Sequence, residues 1–335
     1  MNNYEEANFI KFDTIKIRTR QDYFKKSLIT FNPKYHPRNG NITGIYYSSK
    51  NDSINIPFDL FIGVSYTKQS MTIEFSSKIL WDDYPKLITK DTFRQCLDNL
   101  NQLGICEIDA EAISKDCCFS IIHVTSDFPM ELTDDKLDTL SISADDYKRY
   151  NWKHYEKSGI TFSKDVKSED CKEEIKIYNK EKEMEIEKNK KFLARLEDTD
   201  TVKEYFKENN TRFEIILKGD KIKKYLDIPN THVDNVFNSK ANPILLQFNK
   251  IFGTEELKTN LSPKYTPDEL LMKNTLLLHN HDLKKIEMEL KNCYKSRSGL
   301  PKRMKLIKEL SNRILNETTS RSTVLSDIRK KLQVQ

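Results

Sequence analysis

The sequence predicts an α+β fold, with an antiparallel-sheet body over residues 1–225 followed by a helical, basic region over residues 226–335. Three observations carry this expectation. Apolar residues alternate with polar ones through most of the first half, the period of a half-buried strand. After Asp220 the apolar spacing changes to threes and fours, the period of a helix. The charge is also divided unevenly: the net +5 of the chain splits into +7 after Ser296, from ten Lys and Arg against Glu309, Glu317 and Asp327, and −2 before it.

In chain order, Phe9 to Arg18 (FIKFDTIKIR) alternates with Ile10, Phe12, Ile15 and Ile17 apolar. The segments ITGIYYS (Ile42 to Ser48), FDLFIGVSY (Phe58 to Tyr66) and MTIEFSSKI (Met71 to Ile79) follow the same pattern. Phe93, Leu97, Leu100 and Leu103 then fall on one helical face, with Thr89 or Asp91 as the cap. Strands are expected near Ile105 to Ile113 and over CFSIIHVTSDF (Cys118 to Phe128). Asp134 to Glu156 reads as an acidic loop with some helix, Ile160 to Phe162 and Glu174 to Tyr178 as short strands. Met184 to Arg195 has the i,i+4 Glu/Lys pairs of an exposed helix, and Thr201 to Glu208 continues as helix. Thr211 to Lys218 (TRFEIILK) is a strand with Arg212, Glu214 and Ile216 on one face. Pro263 and Pro267 mark a linker.

Composition excludes several classes. Eight glycines, seventeen Phe and fifteen Tyr in 335 residues do not fit a linker-like or disordered chain. There is no GxxxxGK[ST], GxGxxG or GxSxG, which argues against an ATPase, a dinucleotide-dependent enzyme or an α/β-hydrolase. Six cysteines without a CxxC pair suit reduced, buried thiols in the cytoplasm. No apolar run approaches the roughly 18 residues of a membrane span, and the acidic start MNNYEEANFIKFD is unlike a signal peptide. The tripeptide His279–His281 lacks the context of an HNH nuclease. A basic tail suits a polyanion, most simply nucleic acid, or else is a solvated helix face.

Chemistry concentrates on three strands. His123, Thr125 and Asp127 share one face of the CFSIIHVTSDF strand, Arg212 and Glu214 share one face of TRFEIILK, and Tyr178 closes EIKIY ahead of Lys180 and Glu183. His, Asp and Glu converging on one sheet face make a divalent-metal site, and a neighbouring Tyr can be an oxygen nucleophile. The same residues equally serve as a half-buried His, a packed Tyr and a surface ion pair.

Four segments in this order resemble the replication initiators of filamentous phages, the gene II endonuclease family, and related phage and plasmid rolling-circle initiators. MTIEFSSKIL with the helix after it is similar to the family's strand, Ser–x–x–Lys-type turn and helix. CFSIIHVTSDF occupies the place of its Arg–Ile–Asp strand, with His123 where the family has Asp. IKIYNKEKEM resembles its Tyr–x–Lys–x–x–Glu block, and TRFEIILKGDKIKKYL its Arg–Phe–Glu strand with a basic helix. The resemblance spans roughly Phe12 to Leu226.

It implies an HUH-like or Rep-like nicking domain that cuts one strand at a replication origin. Tyr178 becomes joined to the 5′-phosphate and a 3′-OH is freed, with Lys180 assisting. Mg²⁺ or Mn²⁺ is held by His123, Glu214 and Asp127, and Glu183 either joins that set or pairs with a lysine. Arg212 clamps a phosphate or partners Glu214. Lys221, Lys223 and Lys224, and Lys302, Arg303 and Lys305 in the tail, contact DNA. The partners implied are origin DNA, both the single-stranded nick site and flanking duplex, and a host helicase and polymerase, in the cytoplasm of a bacterial host and away from membranes. Two alternatives accompany this: a non-catalytic DNA-binding replication regulator of the same fold, and a relaxase-like mobilisation protein.

Overall fold

The computed structural model describes residues 10–51, 56–143, 150–155, 158–164, 174–252, 266–279, 281–294, 299–317 and 319–333. The strands in chain order are β1 (Phe12–Arg20), β2 (Phe24–Ser27), β3 (Asn32–Tyr35), β4 (Ile42–Ser48), β5 (Leu60–Ser65), β6 (Ser70–Ser76), β7 (Cys106–Ile108), β8 (Cys118–Phe128), β9 (Tyr150–Tyr155), β10 (Gly159–Lys164), β11 (Glu174–Asn179) and β12 (Thr211–Lys218). Ten of them form one antiparallel sheet in the order β3-β4-β5-β6-β1-β8-β12-β11-β10-β9, while β2 and β7 pair separately. Two meanders, β3–β6 and β9–β12, are thus joined through β1 and β8 at the centre. The fold is α+β with a large antiparallel sheet and many helices, as the sequence predicts.

Period-two alternation gives the sheet two unlike faces. One face carries Ile15, Ile17, Ile73, Phe75, Ile122, Val124, Ile175, Ile177, Phe213 and Ile215, all essentially inaccessible to solvent. Helices cover it through aromatic side chains: Phe93 and Phe237 pack on Phe119, Phe248 on Phe213 and Phe252 on Phe162. Removing this apolar area from water is the main stabilising term. The opposite face holds the polar groups of β1, β8, β11 and β12.

Strands β8 and β12 have the expected bounds; Phe213, Ile215 and Leu217 of β12 keep one parity, while in β8 the count slips between the buried Phe119 and Ile122, where the pairing with β1 is irregular. Between Ile105 and Ile113 only Cys106–Ile108 is strand; Asp109 accepts the Ala112 N–H at 3.0 Å and caps the helix Ala110–Lys115. The helix expected over Met184 to Arg195 is shorter, Glu187–Leu193, and a separate short helix, Lys180–Met184, precedes it. Within Asp134 to Glu156 lie a helix, Asp134–Ser143, and β9. Pro267 begins the helix Pro267–Leu278, capped by a reciprocal Thr266–Glu269 box, whereas Pro263 lies outside the described residues.

The core does not stop at residue 225. It continues through Phe248 and Phe252 and takes in Leu325, Ile328 and Leu332 of the last helix, Thr319–Gln333. Met272, Leu276, Ile286, Ile307 and Leu310 form a second, smaller cluster. Among the described residues no helix is long and apolar enough to cross a membrane.

Candidate active site

Three neighbouring strands bring the candidate residues to the polar face. In register, Lys176 of β11 faces Glu214 of β12, which faces Thr125 of β8; one row on, Tyr178 faces Arg212, which faces Asp127. The functional contacts run diagonally between rows, a reach long side chains have. The Tyr178 hydroxyl donates to Glu214 Oε2 at 3.4 Å. His123 Nδ1 stands 3.3 Å from Glu214 Oε1, as does Lys176 Nζ. Tyr178, His123 and Glu214 therefore converge. They open into a cavity of about 590 Å³ that Lys50, Lys78, Lys176, Lys180, Lys182 and Lys188 also line, against Asp13, Asp59, Glu74, Glu183 and Glu214.

Burial works against the Glu214 charge, but the hydrogen bond and charge of His123, then Lys176 and Arg212, hold its carboxyl well below the usual carboxylate range. Tyr178 is pushed the other way: burial, then the Glu214 charge, raise its phenol well above the ordinary tyrosine value, and Arg212 offsets only part of this. Lys180 is buried, yet Tyr84, Glu183 and Asp13 keep it firmly protonated against the effects of burial and Arg212. Its Nζ lies 2.5 Å from Glu183 Oε2 and 5.8 Å from the centre of the Tyr178 ring. Glu183 thus pairs with a lysine. Lys180 also begins a helix rather than extending β11. Burial lowers the Lys78 ammonium to about 8; it donates to Asn189 Oδ1 at 2.5 Å.

Two expected roles are corrected. Arg212 is fully buried, so it does not present its guanidinium to DNA. It forms a two-pronged pair with Asp127, Nε–Oδ1 at 2.6 Å and Nη2–Oδ2 at 2.7 Å, and a third bond from Nη1 to Asp13 Oδ1 at 2.6 Å. The rings of Tyr84 and Phe206 close over it at 5.8 and 5.5 Å. Asp127 is consumed by this clamp and does not join His123 and Glu214. Among the described residues no group of three or more His, Cys, Asp or Glu side chains is placed to hold a metal. His123 and Glu214 remain as an adjacent N/O pair, with donors 3.3 Å apart. That separation suits two neighbouring ligands of an ion bound at about 2.1 Å, and Mg²⁺ commonly has only one or two carboxylate ligands with substrate phosphates beside them.

The other expected DNA contacts lie apart. Helix Asp220–Leu226 starts beyond the far end of β12, about 20 Å along the strand from the row of Tyr178 and Arg212. There Lys224 is exposed, Lys221 half-buried and Lys223 paired with Asp220 at 2.6 Å. In the tail Lys302 and Lys305 are exposed, but Arg303 makes a two-pronged pair with Asp268 at 2.5 and 2.9 Å and ties two helices together.

Sequence reasoning missed Asp13, Lys176, Lys78 and Tyr84. A register shift between Phe12 and Thr14, where β1 meets β8, turns Asp13 toward Arg212. Lys176 was legible, since it shares the parity of Tyr178 on a short strand. Compared with protein-family models, curated proteins and solved structures, the chain matches none.

Proposed function

We propose that this chain is a rolling-circle replication initiator, a metal-dependent nicking–joining endonuclease that works on origin DNA in the cytoplasm of a bacterial host. The observation that carries the reading is the meeting of the Tyr178 hydroxyl and His123 Nδ1 on opposite oxygens of Glu214, beside a lysine-lined cavity. In the proposed step Tyr178 Oη bonds to the scissile phosphorus and the bond to the 3′ oxygen breaks. The product is a 5′-phosphotyrosine, and the freed 3′-OH takes up a proton. Because one ester replaces another, rejoining needs no nucleotide, in keeping with the missing phosphate-binding glycine loops.

The raised Tyr178 phenol has to lose its proton as it attacks. Glu214, held strongly acidic, orients that hydroxyl rather than taking its proton in the resting site. Lys176 and Lys180 supply fixed positive charge where the phosphate would sit. His123 and Glu214 are the residues that would hold a divalent ion, which when bound polarises the phosphate. The HUH-like or Rep-like assignment of the sheet belongs to this proposal, as do the host helicase and polymerase.

A second reading, a DNA-binding regulator of the same fold without catalysis, is favoured by one observation: Asp127 is locked away from His123 and Glu214. A relaxase-like mobilisation protein would use the same step. One assay separates the first two. Wild type and Tyr178→Phe are incubated with origin-bearing supercoiled DNA and Mg²⁺ or Mn²⁺. A covalent protein–DNA adduct and nicking that depend on Tyr178 are expected. Nicking by both proteins would assign the wrong nucleophile, and nicking by neither would leave the regulator.

A further inference from the structure

The polar face does not end at the cavity. Thr14, Glu74 and Ser76 line its far side, and Glu74 is ion-paired at 3.0 Å with Lys16. Lys16 Nζ in turn lies 5.6 Å from the centre of the Phe61 ring. Beyond it Phe61 and Tyr46 lie near-parallel, with centroids 6.2 Å apart and planes 26° from one another. Both rings are half-buried, and the exposed Lys34 places one ammonium 5.4 Å from the Tyr46 centroid and 5.2 Å from that of Phe61. One ammonium thus serves both rings, and it lies 3.4 Å from where a Cβ on Gly63 would stand, close to the sheet surface.

Gly63 permits this arrangement. A Cβ there would come within 2.9 Å of Cε1 and Cζ of Phe61, so the ring lies down over the Gly63 backbone instead of standing up from the sheet. The strand order puts β5 four places from β12, roughly 19 Å across the sheet, and the register sets Phe61 level with Lys218, four residues along β12 from Glu214.

We propose that this strip of sheet, from Tyr178 across Glu74 to Phe61 and Tyr46, is a track for single-stranded DNA, with the two rings stacking bases and Lys34 and Lys16 meeting phosphates. It rests on the reading of the site as one that acts on DNA, and gives that substrate a second anchor remote from the scissile bond. The chemistry selects the occupant. Flat ring faces recognise unpaired bases, which a duplex hides, and lysines beside them match a phosphate backbone. Two near-parallel rings with lysines beside them, on the sheet face that carries Tyr178, suit a displaced strand held in extension.

The test uses Tyr178→Phe protein, so that binding is read without cleavage, and an oligonucleotide of about 15 thymidines, near the upper site size of such modules. Fluorescence anisotropy of the combined Tyr46→Ala/Phe61→Ala variant should show affinity lowered about tenfold or more, given roughly 1–3 kcal/mol per stacked base. Tyr46→Phe, which keeps the ring, should stay within about twofold, because stacking needs only the ring face. Lys34→Gln should lower the slope of log affinity against log salt by about 0.7. A 2-aminopurine base in the oligonucleotide should be quenched by the parent and not by the double variant. If the double variant melts early, Phe61→Leu replaces it, since it keeps apolar volume without a ring. Unchanged affinity in a folded ring-less variant overturns the track, as does equal dependence on the rings for a duplex of the same length. Adduct formation is scored separately in wild type. Ring-dependent binding without any adduct would sink only the nicking reading, and adducts without ring dependence only the track.

Discussion

The Tyr178 hydroxyl reaches Glu214 across a diagonal: its register partner on β12 is Arg212, yet its 3.4 Å hydrogen bond goes to the carboxylate two residues further along. That diagonal leaves the other carboxylate oxygen to His123 and Lys176. Glu214 is therefore a shared anchor, and the charge on it helps to raise the Tyr178 phenol.

Replacing that anchor should show in acid. The Glu214 carboxyl is held below its unfolded value, so its contribution is present above the unfolded carboxylate pKa and is lost as pH falls toward the folded one. Glu214→Gln should lower the melting temperature at neutral pH, by the equivalent of about 1–3 kcal/mol. The gap to wild type should then narrow below pH about 4. Thermal melts of both proteins across pH decide it; a gap that stays constant with pH would contradict the assigned charge.

Tyr178 should be silent to alkali over the range where ordinary tyrosines ionise, since burial and Glu214 raise its phenol. Ultraviolet titration of wild type and Tyr178→Phe should give the same phenolate amplitude up to pH about 10.5, the wild type gaining its extra increment only above that or on unfolding. An increment missing from the variant at ordinary tyrosine pH would place Tyr178 in water.

The Arg212 clamp predicts an asymmetry between its two acids. Asp127, with its side chain 2% exposed, takes two of the guanidinium bonds, while Asp13, at 17%, takes one. Asp127→Asn leaves a buried cation half-compensated and should cost about 3–5 kcal/mol in urea unfolding. Asp13→Asn should cost about 1–3 kcal/mol. Equal losses would mean that the clamp is not where the stability lies.

Which of these parts could be read from sequence follows from what alternation encodes. Alternation in β12, and in β8 from Ile122 onward, fixes which side chains share a face, and so groups His123 with Thr125 and Asp127 and Arg212 with Glu214; the pairing of the two strands then brings His123 to Glu214. Parity fails at Asp13, because the irregularity between Phe12 and Thr14 breaks the count. Residue type fails at Arg212: a guanidinium suits a phosphate or a carboxylate alike, and only the folding of Tyr84 and Phe206 over it decides between them. The burial of Lys78 depends on Asn189, 111 residues away, a contact no local pattern announces. Strands β2 and β3, four residues each and almost wholly exposed, are too short for a period to register.

Lys78 gives a prediction with the same sign as that of Glu214 but in an alkaline window, because here too the folded pKa is the lower one. Its folded pKa of about 8 lies below the unfolded value, so between the two the unfolded chain binds more protons and stability rises with pH. The penalty of burying the charge is complete below about 8 and is relieved as pH climbs toward the ordinary lysine value. Lys78→Met has no such relief. Between pH about 8 and 10.4, wild type should gain up to about 3 kcal/mol relative to the variant in urea unfolding. Parallel pH profiles would show that the lysine remains charged and solvated.

The tail separates charges that would meet DNA from charges that hold helices. Lys302 and Lys305 project from Gly299–Glu317 into solvent, Lys305 with only a 3.9 Å approach to Glu309, whereas Arg303 is committed to Asp268. If duplex flanking the nick lies on this helix, Lys302→Gln and Lys305→Gln should each reduce the salt slope of duplex binding by about 0.9, with melting unchanged. Arg303→Gln should instead loosen the packing of Gly299–Glu317 on Pro267–Leu278, lowering the melting temperature and weakening DNA binding only through that. Slopes that do not move in either lysine variant would remove the helix from the DNA interface and leave its basic face to solvent.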